Sequence, residues 1–420
     1  MVSKRRRLAQ RRKVMGYTQE QLAEELGVDR TTVARWEAGE TEPHAWQRPN
    51  LADALQLSAE QLNDVLADAY GAGAVSGELV ALLPAETEET DGHLATLIES
   101  PLAILERIRQ QSADHVTDAL LNTLDLYVTD VVERYEAQGP AVLAPDVVRQ
   151  RRWVHQLLVT CPPSKRGERV VKVAGRLSAQ LAYMAVNLGR FRSARAYGIE
   201  AFELADQVDD GELKAWVRGT QSLTEYYAGH YDRALELAKD GRRYAGSGPQ
   251  AVRLIINGEA RALGKLNQPV DEAVDRAYEL LTTFPPEPGM TPCISFGLYS
   301  EARVASNAAT AYLALAKTSQ VLEHANRAFQ VVDTSPSTWS RALVRLDAAS
   351  ALAQGEHPDL ERAVSLCLEA MAVSHHHRIE SIKQRTRDFI RQLQPSSDIA
   401  LVADFVAEAQ AWLSEGYATE

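Results

Sequence analysis

Apolar residues recur along this chain at helical spacing almost from end to end, and runs alternating with a strand's period of two are scarce. Near the N-terminus the punctuation is dense. A first helix is predicted over residues 4–15 and stopped by Gly16, since glycine takes the left-handed backbone that ends a helix without steric cost. Thr18 caps a second helix, and Gln21 three positions on completes a capping-box pattern; Leu22 and Leu26 form its inward face, and Gly27 ends it. Asp29 caps a third helix, Arg30–Ala38, with Val33 and Trp36 turned inward and Gly39 as its stop. A fourth near residues 48–55 and a fifth after the cap Ser58 close the unit with Leu51, Leu55, Leu62 and Leu66. The pattern predicts a five-helix domain over residues 1–70.

Residues 71–98 change character. Gly71, Gly73 and Gly77 precede an acidic stretch from Glu86 to Gly92, a composition that predicts a flexible linker. From residue 99 to 420 the text is helical again, and it repeats. Gly189-Arg-Phe191-Arg-Ser-Ala194 is echoed 40 residues later by Gly229-His-Tyr231-Asp-Arg-Ala234, with looser echoes at 267–273, 316–321 and 355–363. A helical hairpin of about 40 residues that cannot bury its own apolar face implies a stacked solenoid. Prolines at 140, 145, 162, 163, 249, 269, 336 and 395 are expected between helices, and the Pro-rich segment from Pro285 to Pro292 reads as a longer inter-repeat loop. The expected class is therefore all-α throughout.

Charge divides the chain in the same way. Residues 1–50 carry 10 basic and 7 acidic side chains, whereas the remainder is acidic enough to bring the 420-residue chain to −12. Lys4, Arg5, Arg6, Arg7, Arg11, Arg12 and Lys13 stand without an acid among them. This end would attract a phosphate polymer that the rest would repel. Three scattered cysteines, Cys161, Cys293 and Cys367, form no CxxC pair and suit a reduced, cytoplasmic setting. Neither a secretory leader nor a membrane span is expected from the hydropathy pattern.

The second and third helices, separated by Gly27-Val28-Asp29, have the spacing of a helix-turn-helix, in which the second helix enters the major groove. Its outward positions offer Arg30, Thr31, Thr32 and Arg35, and arginine's fork matches the paired acceptors on a guanine edge. Over residues 4–68, and especially from Tyr17 to Pro43, the sequence resembles the XRE family of phage-repressor-type DNA-binding domains. The resemblance implies a lambda-repressor-like fold and double-stranded DNA, in the form of a palindromic operator, as partner. It implies that Gln19 bonds a phosphate and packs against the recognition helix, that Arg30, Thr31 and Arg35 touch base edges, and that Thr32 touches backbone. It further implies a structural ion pair between Arg12 and Glu37. Glu40 and Glu42 follow the recognition helix where relatives often carry basic residues, so no phosphate contact is expected there; Arg5, Arg6 and Arg7 are the candidates to replace it.

The later repeats resemble tetratricopeptide (TPR)-like arrays, and the whole plan is similar to actinobacterial XRE–TPR regulators and to peptide-sensing quorum regulators of Gram-positive bacteria. That resemblance implies a concave effector groove. Arg176, Ala179, Tyr183 and Asn187 share one helical face; Leu254, Asn257, Arg261 and Lys265 share another, with Trp216 and Tyr226 between. Asn and Arg there would suit the backbone or carboxylate of a peptide, and the effector is expected to be a peptide, a small molecule or a protein. The consecutive histidines 375–377 point in different directions on a helix and are not expected to hold a metal. No phosphate loop, nucleophile elbow or dinucleotide fingerprint is present, so neither enzymatic activity nor a cofactor is expected. The expectation is a homodimeric transcription regulator, with a scaffold that sequesters another regulator as the alternative.

Overall fold

The chain divides into two compact units, residues 1–93 and 94–420. A computed structural model describes residues 6–15, 17–44, 47–55, 57, 62, 65–66, 104, 107, 116–354 and 357–414. Every element among them is helical, and no described helix is long and apolar enough to cross a membrane.

In the first unit α1 (Arg6–Val14), α2 (Gln19–Glu25), α3 (Arg30–Ala38) and α4 (Arg48–Ala54) follow the predicted order. The capping box of α2 is formed in both directions: Gln21 N–H donates to Thr18 Oγ1 at 3.1 Å, and Thr18 N–H donates to Gln21 Oε1 at 2.8 Å. Gly39 is left-handed at φ 76° and returns its N–H to the last carbonyls of α3. Asp29 occupies the N-cap position of α3, but its side chain accepts no capping bond, so it contributes backbone geometry only. Leu8, Leu22, Val33, Trp36, Leu51, Leu55, Leu62 and Leu66 form one core, with Leu26 packed on its edge. Leu62, Val65 and Leu66 are helical, in keeping with a fifth helix. Gly16, Ser58 and the linker 71–98 lie outside the described residues.

The second unit begins with α5 (Asp118–Thr160) and continues through α6 (Lys165–Asn187), α7 (Phe191–Gln207), α8 (Gly211–Tyr227) and α9 (Tyr231–Ala245). Next comes α10, one run made of Pro249–Arg253, a π-helical Leu254–Ala260 and Arg261–Lys265. After α11 (Asp271–Leu281) and a long loop come α12 (Glu301–Leu313), α13 (Thr318–Val332), α14 (Thr338–Leu352), α15 (Leu360–Val373), α16 (Glu380–Gln392) and α17 (Ala400–Ser414).

Neighbours in sequence pack against each other, and alternate helices stack: α6 on α8, α12 on α14, α14 on α16. The repeat shows in the backbone as well as in the letters. Gly189, Gly229, Asn267 and Ala316, at equivalent turns, all take left-handed conformations, at φ 69°, 85°, 56° and 53°. The small or β-branched residue that follows each turn, Ala194, Ala234, Ala273 or Val321, is buried at the helix crossing. This is a helical-repeat region, as the pattern predicts.

One expectation is corrected. Pro140 and Pro145 lie inside α5 rather than between helices. Gly139, at φ 77° and ψ 168°, breaks the helix, and Pro140 restarts it where a missing N–H costs nothing. The array also curls back on itself. α16 packs back against α6, Gln384 donates to the Tyr227 carbonyl at 3.1 Å, and His377 Nε2 faces the Ala137 carbonyl at 3.0 Å. Its later turns therefore meet its first, and the inner helices enclose a centre.

Candidate nucleic-acid interface and the inner face of the array

Trp36 and Val33 anchor α3 in the core of the first unit, which turns Arg30, Thr31 and Arg35 outward, all exposed, with Thr32 half-buried. The helix is held from behind by charge. Arg12 donates from Nε to Glu37 Oε1 at 2.6 Å and from Nη2 to Oε2 at 3.3 Å, while its Nη1 donates to the Tyr17 carbonyl at 2.7 Å. Glu37 thus braces α3, as the resemblance implies, and takes no part in the exposed face.

Gln19 packs against the recognition helix, as the resemblance implies. Its amide donates to Glu37 Oε2 at 2.6 Å, so it completes the brace, and only the remaining amide valences are left for a phosphate. Arg30 is paired as well: its Nε lies 2.6 Å from Glu20 Oε1, with both side chains largely in solvent. Such an exposed pair is worth at most about 1 kcal/mol, and a nucleic-acid acceptor can replace it. In the loop after α3, Glu42 is met by Arg48 Nη2 at 3.1 Å, which leaves Glu40 as the acid expected to repel phosphate. Arg5 and the side chains of Arg6 and Arg7 lie outside the described residues.

Residues 8–45 match the helix-turn-helix family model HTH_3, a span that contains α2, the turn and α3. Among characterised proteins the chain is similar to the cryptic phage CTXphi transcriptional repressor RstR of Vibrio cholerae, at 39% identity over 56 residues. That match covers 13% of this chain and 50% of the repressor, so the chain spans about half the length of the curated relative it matches. No solved structure matches.

The expected groove residues are distributed differently from the prediction. Tyr183, Asn187, Asn257 and Arg261 line a small inner cavity of about 50 Å³, together with Tyr227, Asn307, Thr310 and Arg385. Tyr226 lines an adjoining compartment of about 270 Å³, and the two share Tyr227, Thr310 and Arg385. Trp216 is not open to either. Residues 291–300 tuck under it: the indole N–H donates to the Ser295 carbonyl at 2.7 Å, and Phe296 lies 4.7 Å away, ring to ring. Gln250 holds the Phe296 carbonyl at 2.8 Å, and Glu136 Oε1 accepts from the Cys293 N–H at 2.7 Å. The Pro-rich segment 285–292 is a loop between α11 and α12, as predicted, and the residues that follow it, up to 300, form an inward plug that its composition does not reveal. Arg176 stands outside both cavities, 3.8 Å from Asp125.

Sequence reading missed Tyr227, Arg253, Arg303 and Arg385. Arg303 and Asn307 share a helical face, four positions apart, and could have been found by that spacing. Arg253 stands four positions before Asn257 and could have been found by the same spacing.

Proposed function

We propose that this protein is a sequence-specific DNA-binding transcriptional regulator. The single observation that carries the reading is the outward face of α3, where Arg30, Thr31 and Arg35 are exposed on a helix anchored by buried Trp36 and the Arg12–Glu37 pair. The family match over residues 8–45 and the similarity to a phage transcriptional repressor support it. Arg30 and Arg35 read base edges, Thr31 contributes to the same face, and Thr32, Gln19 and the N-terminal Arg5, Arg6 and Arg7 meet backbone.

One such helix covers only a few base pairs. The protein therefore acts as a homodimer on a palindromic operator, with half-sites about 34 Å apart or a multiple of it. The TPR-like second unit supplies dimerisation and senses an effector, and the protein works in the cytoplasm without catalysing a reaction. A ligand bound unequally by two states of that unit would shift operator occupancy.

A mobility-shift assay with genomic fragments tests this, comparing the wild type with Arg30→Ala plus Arg35→Ala. Selective binding is lost in the double variant, and wild-type affinity falls steeply with salt as counterions are released. Retention of selectivity by the double variant assigns recognition to another surface.

A further inference from the structure

α10 carries a row of side chains at 253, 257 and 261 facing the centre of the array, and two of them are buried arginines of an unusual kind. Arg261 is 3% exposed. It donates to Asn257 Oδ1 and, at 3.0 Å, to the Tyr227 hydroxyl, and it lies over the Tyr226 ring at 4.2 Å. Its Nε has no acceptor, and no carboxylate among the described residues forms an ion pair with it. Arg253, equally buried, lies over Trp216 at 4.4 Å, with Nε and Nη1 unpartnered. The other two arginines of the inner cavity are compensated: Arg303 by Glu136 at 2.9 Å and Arg385 by Asp347 at 2.6 Å. An unpaired buried cation is costly to hold, and it persists where a ligand of opposite charge completes it.

We propose that the cavity around Arg261 binds a small monocarboxylate, its head on Arg261 and Tyr227 and its neutral, polar body in the adjoining compartment. The charge count selects a single negative group, because Arg261 is the one cavity-lining arginine among the described residues without an acid partner. A carboxylate's two oxygens match a guanidinium fork, which a point charge would not exploit. Size selects a short molecule. The inner cavity of about 50 Å³ admits a head of few atoms, and residues 293–299 already fill the neighbouring stretch of the inner face. In the outer compartment Lys265 and Arg385 face Asp347 and Asp388, so charge is balanced there, while Gln354, Gln384 and Gln392 offer hydrogen bonds to a polar body. The tyrosine responds to the same field: burial would push the Tyr227 phenol up, yet Arg261 and Arg385 hold it below the usual tyrosine range.

This inference rests on the effector-sensing part of the proposed function, and two separate readouts keep their failures apart. The full chain is titrated with N-acetylglycine, with N-acetylglycinamide as its uncharged counterpart, and with inorganic phosphate, following heat of binding and thermal unfolding. N-acetylglycine raises Tm in a saturable way, by about 2 °C at ten times its Kd, and the amide does not. Arg261→Met weakens N-acetylglycine binding at least about tenfold, the expected loss of a charge-assisted pair. Equal effects of acid and amide, stronger binding of phosphate, or full binding by Arg261→Met overturns the site. Should Arg261→Met fail to fold, Tyr227→Phe decides: several-fold weaker N-acetylglycine binding supports the site, and unchanged binding overturns it. In the second readout, retention of genomic DNA fragments is compared with and without N-acetylglycine. Binding of the acid without any change in retention keeps the site and refutes the coupling.

Discussion

Arg12 and Glu37, 25 residues apart, meet as a two-point ion pair with both side chains less than a tenth exposed. The pair ties α1 to the last turn of α3, and Gln19 of α2 closes on the same carboxylate. Three helices therefore converge on one acid, so the angle at which α3 leaves the core depends on it.

Removing one partner strands the other charge in the core. Glu37→Ala is expected to destabilise the first unit by about 3–5 kcal/mol, whereas Arg12→Met with Glu37→Leu stays near neutral. Hydrogen exchange of the α3 amides in the full chain checks this, with fast exchange expected in the single variant and slow exchange restored in the double one.

Glu20 holds Arg30, the residue proposed to read base edges. Glu20→Gln releases the guanidinium, and an exposed pair worth at most about 1 kcal/mol translates into up to about fivefold tighter binding at low salt. Fluorescence anisotropy on a selected genomic fragment measures the change. Weaker binding by the variant would mean that Glu20 itself takes part in recognition.

Trp216 and Phe296 hold the plug in place. Phe296→Ala is expected to free the loop after α11 to proteolysis while the helical content stays, because the ring is only half-buried. Trp216→Ala removes a fully buried indole and its bond to Ser295, and it costs the second unit about 3–5 kcal/mol. Limited proteolysis and urea unfolding separate the two outcomes.

His324 lies between Tyr278 and Tyr312, nearly parallel to both rings, at 5.8 and 5.4 Å. Burial, with a smaller contribution from Arg327, lowers its pKa from 6.5, so the folded unit keeps the imidazole neutral. Burial lowers His377 as well, against the opposing pull of the Ala137 carbonyl. The unfolded chain takes up these protons first. The stability they confer is therefore complete above 6.5 and is lost as the pH falls through and below that value. The urea midpoint of the second unit should drop over this window, and His324→Gln should flatten the slope.

The helix-turn-helix was legible because its signals are local. Thr18 with Gln21, Gly39, and the inward spacing of Val33 and Trp36 each constrain a single turn of backbone, and all were met. The repeat was legible for the same reason, through the turns at Gly189 and Gly229. What escaped sequence reading is long-range. Nothing around Gln19 announces that its amide will be taken by Glu37, or around Trp216 that Ser295 will cover it, 79 residues away. The unpaired state of Arg261 is a property of the assembled centre, to which six helices contribute.

Gly189 abuts Glu380 so closely that a Cβ there would come within 3.2 Å of the carboxylate, and one on Gly139 within 2.8 Å of the His377 ring. An open solenoid lengthens by duplicating a hairpin, since each unit meets only its neighbours. Here the two extremities are clasped, and an inserted or deleted hairpin would pull the clasp apart. The number of units is thus pinned by geometry, and this unit of the molecule diversifies by exchanging inward side chains rather than by growing.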